Sequence, residues 1–316
     1  MKLPIDRRHS RPRENHWPNL LCRFEPSRGN RLITTALLLA IASTCSGSSA
    51  AKEIGGAKRQ KIEIPFEVYN GNLIVVRATV GSIKNVNFIL DTGTSPSAIN
   101  QSMAARLNVR GKARLLQTLN GTVQAQSVML PRIQIGPLHA DSIMGVVQDL
   151  TFMERSLGIS LGGIAGLDIL STSSFMIDYR RQKITFGPVA VREKAVRFET
   201  QIPFLTVRAK IEGQEVRLLV DSGTWGLLLY RNRLRTVPEH LHLDPLASIS
   251  TAGGTTKVRW LSAEVSLGKD NLGTRNVAIA DVDSDPQNEF DGLLGFAKVG
   301  FHNVSFDFEN GLFGWE

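Results

Sequence analysis

The chain repeats itself, and that limits its fold more than any other feature. One stretch reads LIVVRATVGSIKNVNFILDTGTS, Leu73 to Ser95; a second reads PFLTVRAKIEGQEVRLLVDSGTW, Pro203 to Trp225. Each is an apolar strand carrying Val-Arg-Ala, a turn at Gly81 or Gly213, a second apolar strand, then Asp-Thr/Ser-Gly-Thr. Asp91 and Asp221 are 130 residues apart. Gly166 closes GGIAG 75 residues after Asp91, and Gly295 closes DGLLG 74 residues after Asp221. Twelve residues beyond each glycine stands another aspartate, Asp178 and Asp307. The same landmarks in the same order imply two copies of one unit.

Most of each copy reads as short strands of Val, Ile, Leu, Phe and Thr, with Gly, Asn or Pro at the turns. The expected class is mostly β, in two similar lobes. Helical patterning is sparse. SPSAINQSMAARLNV, from Ser95, is the best candidate, with Ser97 as its cap. LYRNRLRTV holds the matching place in the second copy, and LDILSTSS after Gly166 suits one or two turns. The lobes are expected over 66–190 and 191–316, with the boundary near Gly187 to Gln201 and a polar linker over 51–65.

Residues 1–50 form a leader. Eight Lys and Arg stand there against Asp6, Glu14 and Glu25, followed by the apolar run LITTALLLAIAS and the small residues TCSGSSAAKE. This order is that of a secretory signal peptide, and the apolar run is short for a membrane span. Cleavage after Ala50 is the first expectation; retention as an N-terminal anchor is the second. Lipid attachment at Cys45 is a third, which Thr44 and Ala42 fit poorly. The product would be exported: periplasmic, secreted or anchored in the cell envelope, meeting membrane only through the leader or that lipid. The leader also accounts for much of the net charge of +8, because the remainder holds 29 basic and 26 acidic residues. No dense basic stripe with interleaved aromatics is present, so nucleic acid is not an expected partner. Both cysteines, Cys22 and Cys45, lie in the leader, which removes disulfides and thiol chemistry from a processed chain. His240 and His242 are close together, but no further ligand cluster joins them, so no metal site is expected.

A carboxylate at the end of an apolar strand is costly unless it is paired, hydrogen-bonded or used. Two such sites at matching positions suggest that they serve each other. In FILDTGTS, LLVDSGTW, GIAGLD and DGLLGF the chain resembles the aspartic protease superfamily, both its two-lobed pepsin-like and its retropepsin-like members, of the exported bacterial type. The resemblance covers nearly all of the chain after about residue 66. It implies two β-barrel lobes about a pseudo-twofold axis, with catalytic Asp91 and Asp221 sharing one proton across it. Gly93 and Gly223 would let the backbone turn tightly beside the carboxylates. Thr92 and Ser222 would lock the loops across the axis, and Thr94 and Thr224 would bond the outer carboxylate oxygens. Gly166 and Gly295 would be structural, allowing close packing beside the active loops. Protein or peptide is the implied substrate, and neither metal nor cofactor is required. Both halves lie in one chain, so a monomer is expected.

The sequence departs from the pepsin pattern in two places. The first flap, about Leu116 to Ser127, has no tyrosine; its tip at Leu119, Asn120 and Gly121 looks more like that of a retropepsin. Gly253 and Gly254 mark a second flap of similar weight, suggesting a more symmetrical site. The polar stretch 51–65 is too short for an inhibitory pro-segment. Pro96 on one side and Trp225 with Gly226 on the other break the symmetry; Trp225 either lines the cleft or fills a β core. The leading expectation is an aspartic endopeptidase, including the narrower case of a processing enzyme with one partner. The alternative is an inactive protease-like module that holds peptide or glycan. A duplicated β domain with no chemistry is the blandest reading.

Overall fold

The computed structural model describes residues 23–24, 61–118, 121–190, 192–201, 204–233, 244–251, 254–281 and 290–316. It is mostly β, in two repeated units. In the first half Leu73–Val80 and Ile83–Leu90 form a hairpin, with Ile74 opposite Leu90. The turn needs a left-handed residue, and Gly81 supplies it at φ +58°. Leu73 to Val76 are all buried, as expected of a strand covered on both faces.

The topology that positions the site is the same in both halves. Gly163–Ala165 runs parallel to Ile83–Leu90, with Ala165 beside Leu90, and antiparallel to Ala98–Asn100. In the second half Gly292–Leu294 runs parallel to Gln214–Val220, with Leu294 beside Val220, and antiparallel to Leu227–Tyr230. Ala98–Asn100 then pairs in parallel with Met144–Gln148, as Leu227–Tyr230 does with Asp270–Ala280. One local difference has a simple cause. The second half uses one strand, Gly254–Leu267, where the first uses Gly121–Met129 and Ile133–Ile135. Pro131 falls in that break, and proline cannot donate to a ladder.

A six-stranded sheet joins the halves. Its order is Ala195–Arg197, Leu312–Trp315, Asn303–Asp307, Phe175–Asp178, Lys183–Phe186, Ile62–Pro65. Three strands of one copy are followed by three of the other, so the same pieces appear in the same order when the sheet is read from either end. Its middle pairing sets Phe175 opposite Phe306, and the two rings stack at 4.7 Å. Ile62–Pro65, expected at the end of the polar linker, is a strand of this sheet. Its alternation of Ile with Glu had been masked by the polar residues around it.

Side chains alternate across each sheet. Leu90 and Val220, one residue before each aspartate, join a core that runs through both halves. Ile89 lies on the other face with Ala98 and Ile164. Leu219 does the same with Leu228 and Leu293. By that alternation each aspartate projects toward the face of Ile89 or Leu219, away from the shared core.

The helices are short. Gln101–Arg106 begins after Asn100, which makes no side-chain cap bond. Ser97, expected as the cap, is used elsewhere. Leu167–Leu170 follows Gly166. Among the described residues of the second half only Arg231–Arg233 is helical, as one 3₁₀ turn; residues 234–243, with His240 and His242, lie outside the described residues. Thr151–Leu157 was not foreseen. It buries Met153 and Leu157 and ends at Gly158, φ +71°.

Candidate active site

Each aspartate leaves its strand at the point where the parallel neighbour fixes it. The amide of Asp91 donates to the carbonyl of Ala165 at 3.0 Å, and that of Asp221 to Leu294 at 3.0 Å. The chain then turns back. The Gly93 amide donates to Oδ1 of Asp91 at 2.8 Å, and the Gly223 amide to Oδ1 of Asp221 at 2.8 Å. The Thr94 hydroxyl donates to Oδ2 of Asp91 at 2.8 Å. The Thr224 hydroxyl donates to Oδ2 of Asp221 at 2.5 Å. Every carboxylate oxygen therefore has a donor from its own loop.

The two loops meet. A Cβ on Gly93 would lie 2.4 Å from Cγ of Asp221, and one on Gly223 would lie 2.8 Å from Oδ2 of Asp91. Only glycine lets each loop come this close to the other's carboxylate. Four bonds lock the approach. Thr92 Oγ1 donates to Val220 O at 2.9 Å and accepts the Ser222 amide at 3.0 Å. Ser222 Oγ donates to Leu90 O at 3.0 Å and accepts the Thr92 amide at 3.0 Å. All of these residues are buried.

Burial sets the electrostatics. Both aspartates are 0 % exposed. Desolvation, and then the charge of Asp221, pushes Asp91 well above the ordinary carboxylate range; desolvation raises Asp221 as well. The threonine and glycine donors pull in the opposite direction, since they favour the charged form. Two adjacent carboxylates that resist joint ionisation hold one proton between them. Such a pair can offer one base and one acid, here in a site screened from bulk water.

A family model described as aspartyl protease matches residues 75–169 and 207–297, one stretch in each half. The chain belongs to the aspartyl protease family. No match to a curated protein was found.

In this member of the family the glycines after the motifs have a definite place. A Cβ on Gly166 would lie 2.4 Å from the carbonyl of Thr94, and one on Gly295 would lie 2.1 Å from that of Thr224. Gly163 and Gly292 are equally confined, at 2.2 Å from the Ala98 carbonyl and 2.0 Å from the Leu228 carbonyl. The first glycine of each Gly-x-x-Gly is thus as constrained as the second, although the sequence reading singled out only the second. Leu119, Asn120 and Gly253 lie outside the described residues. Gly121 and Gly254 begin strands of the two hairpins, Lys112–Thr118 with Gly121–Met129 and Ala247–Thr251 with Gly254–Leu267.

Asymmetry begins directly after the motifs. Trp225 is half-buried and packs edge-to-face on Trp260, at 5.8 Å, with the Lys298 ammonium 4.6 Å from its ring centre. It joins the Asp221 loop to the arm of the second hairpin. In the first half the matching positions hold Ser95, at the cis bond to Pro96, and Ser127. Ser127 pairs with Val146 as Trp260 pairs with Ala278. Beyond Pro96, Ser97 accepts the Gly166 amide at 2.8 Å and donates through Oγ to Asp168 at 2.5 Å. Asp168 also accepts the Ser97 amide at 2.9 Å. The sequence reading passed over this brace, although Asp168 directly follows the quoted Gly-Leu.

Proposed function

We propose that this chain is an aspartic endopeptidase in which Asp91 and Asp221 activate a water to hydrolyse a peptide bond. The ionised carboxylate takes a proton from the water. The water oxygen bonds to the carbonyl carbon, and the protonated carboxyl gives its proton to the carbonyl oxygen. The resulting diol collapses as the C–N bond breaks and a proton passes to the leaving nitrogen. The carboxyls finish as they began, with one proton between them. Proton sharing of this kind is the established behaviour of aspartic proteases as a class. The observation that carries the reading is the pair itself: two buried carboxylates, each held by its own glycine and threonine, with each loop glycine against the other's carboxylate.

The test is cleavage of a peptide library by the purified chain across acidic and neutral pH, with and without pepstatin, beside Asp91→Asn and Asp221→Asn. Turnover that pepstatin blocks, and that both variants lose, is expected. Tight peptide binding with no turnover at any pH would replace the enzyme with a peptide-binding module. We also propose export of a monomer, on the strength of the basic, apolar and small-residue order of residues 1–50 and of both aspartates lying in one chain. Mass analysis of the protein recovered from the cell envelope and medium would show whether the chain begins near Ala51.

A further inference from the structure

The two catalytic loops match in sequence and hydrogen bonding, yet they are anchored differently. The Asp91 loop is braced from within its own half by Ser97 and Asp168. In the second half the matching residues are Leu227 and Ala297, which offer no such brace. The Asp221 loop receives a polar anchor from the opposite half instead. The side-chain amide of Asn72 donates to the carbonyl of Gly223 at 2.8 Å, across 151 residues of chain.

Local sequence explains how Asn72 arrives there. Asn70 at φ +53° and Gly71 at φ +80° are both left-handed, and Asn-Gly is the pair that such a turn favours. The turn joins Glu67–Tyr69 to Leu73–Val80, with Tyr69 opposite Leu73. The Asn72 amide closes it by donating to Tyr69 O at 3.2 Å. Asn72 therefore sits at the head of the strand beside the Asp91 strand, facing the other loop. Its side chain is 2 % exposed, and its Oδ1 has no partner among the described residues. An unpaired buried acceptor is costly, and the bond to Gly223 O offsets part of that cost. Val76-Arg77-Ala78 aligns with Val207-Arg208-Ala209, and Val76 pairs with Phe88 as Val207 pairs with Leu218. The counterpart of Asn72 is then Pro203, a residue type with no side-chain donor.

The carbonyl that Asn72 holds belongs to the peptide unit that carries Thr224. On its other side this unit donates from Thr224 N to Asp221 O at 3.3 Å, and the Thr224 hydroxyl reaches Asp221 Oδ2. We propose that Asn72 is the positioning residue of the second catalytic loop: it fixes the Gly223–Thr224 peptide so that the Thr224 hydroxyl stays on Asp221, where it favours the ionised carboxylate. This deepens the catalytic reading and takes its functional meaning from it. Among the described residues, the titratable groups that act on Asp221 are Asp91 and the phenols of Tyr179 and Tyr230, each raised by burial and by the Asp221 charge. Arg233 acts on Tyr230 in the opposite sense. Both phenols stay neutral through the range in which the carboxyls titrate, so the carboxyls alone set the response.

The test is a carbon-13 titration of the aspartate carboxyls in the full chain, with Asp221 assigned through Asp221→Asn. Asn72→Ala and Asn72→Leu are compared with the parent. Asn72→Leu keeps the number and branching of the side chain's heavy atoms and removes both the donor and the unpaired acceptor, so it carries the test if the alanine variant does not fold. The Asp221 carboxyl is expected to titrate higher in both variants, by on the order of half a pH unit. The acidic limb of kcat/KM should move up with it, while the melting temperature of Asn72→Leu stays near the parent's. An Asp221 titration unchanged in Asn72→Leu overturns the proposal, whatever happens to the melting temperature. The titration needs no turnover. A chain that cleaves nothing but shows the Asp221 shift overturns the catalytic reading alone.

Discussion

Thr94 and Thr224 each give a hydroxyl to the outer oxygen of their own aspartate. Such a donor stabilises the ionised form and so lowers the pH at which the base appears. Thr94→Val removes the donor at nearly constant volume. The pair should then keep its second proton to higher pH, moving the acidic limb of kcat/KM up by on the order of one pH unit. A pH–rate profile with that limb in place would show that Thr94 only fills space. Burial works in the other direction and touches stability. Asp91 is raised in the folded state, mainly by desolvation and then by the Asp221 charge. A raised carboxyl contributes stability that is fully present below its unfolded pKa and is lost as pH rises through the folded value. Asp91→Asn cannot ionise and escapes that loss. It should melt above the parent at neutral pH, and the gap should close as pH falls to about 4. Melts at both ends of that range decide it, since a gap that does not change with pH would mean that Asp91 carries no buried charge.

At the scale of elements, the tightest constraint is the passage of each Gly-x-x-Gly strand beside a catalytic loop. Gly166 and Gly295 each face a carbonyl of the loop, which cannot swing aside like the end of a side chain. Gly166→Ala and Gly295→Ala should each cost about 1–3 kcal/mol by overpacking, and should lower kcat through the displaced threonine. Gly213 is different: its φ is +73°, but nothing lies within 4 Å of where a Cβ would stand. Gly213→Ala should cost roughly 1–2 kcal/mol through backbone strain and leave kcat unchanged. Denaturant melts and turnover of the three variants separate the two causes; equal kcat losses would contradict the assignment. These strands and loops were legible because repeat, alternation and motif all coincide within short windows. Three other features were not. Asn72 meets its partner 151 residues away, and Ser97 meets Asp168 at 71, separations that no local pattern records. Ser97 resembled a helix cap because its residue type fits that role, but the bond to Asp168 claims the same side chain. The helix Thr151–Leu157 had its signals in Met153, Leu157 and Gly158, yet seven residues span too few turns for periodicity to stand out.

For the molecule as a whole, the decisive feature is that its halves are not independent. Each supplies three strands to the joining sheet, and the pairing at its centre is between halves. The large core includes Phe175 from one half and Phe306 from the other, both fully buried and stacked. The catalytic loops add Thr92 to Ser222 and Asn72 to Gly223. A lobe that unfolded alone would expose the centre of this sheet and leave its partner's loop without a lock, so local melting of one half is disfavoured. The chain should unfold in one transition. Phe306→Ala removes a buried ring at the boundary and should cost about 3–5 kcal/mol, lowering both halves together. The tryptophans make this measurable, because Trp225, Trp260 and Trp315 lie in the second half and only Trp17, within residues 1–50, lies elsewhere. Tryptophan fluorescence therefore follows mainly the second half, while far-ultraviolet circular dichroism follows the strands of both. The two probes should give coincident curves in the parent and in Phe306→Ala, displaced by the same amount. A fluorescence transition that moved in Phe306→Ala while part of the dichroism signal stayed at the parent midpoint would mean that the first half stands without the second, and that the joining sheet is a contact between two domains.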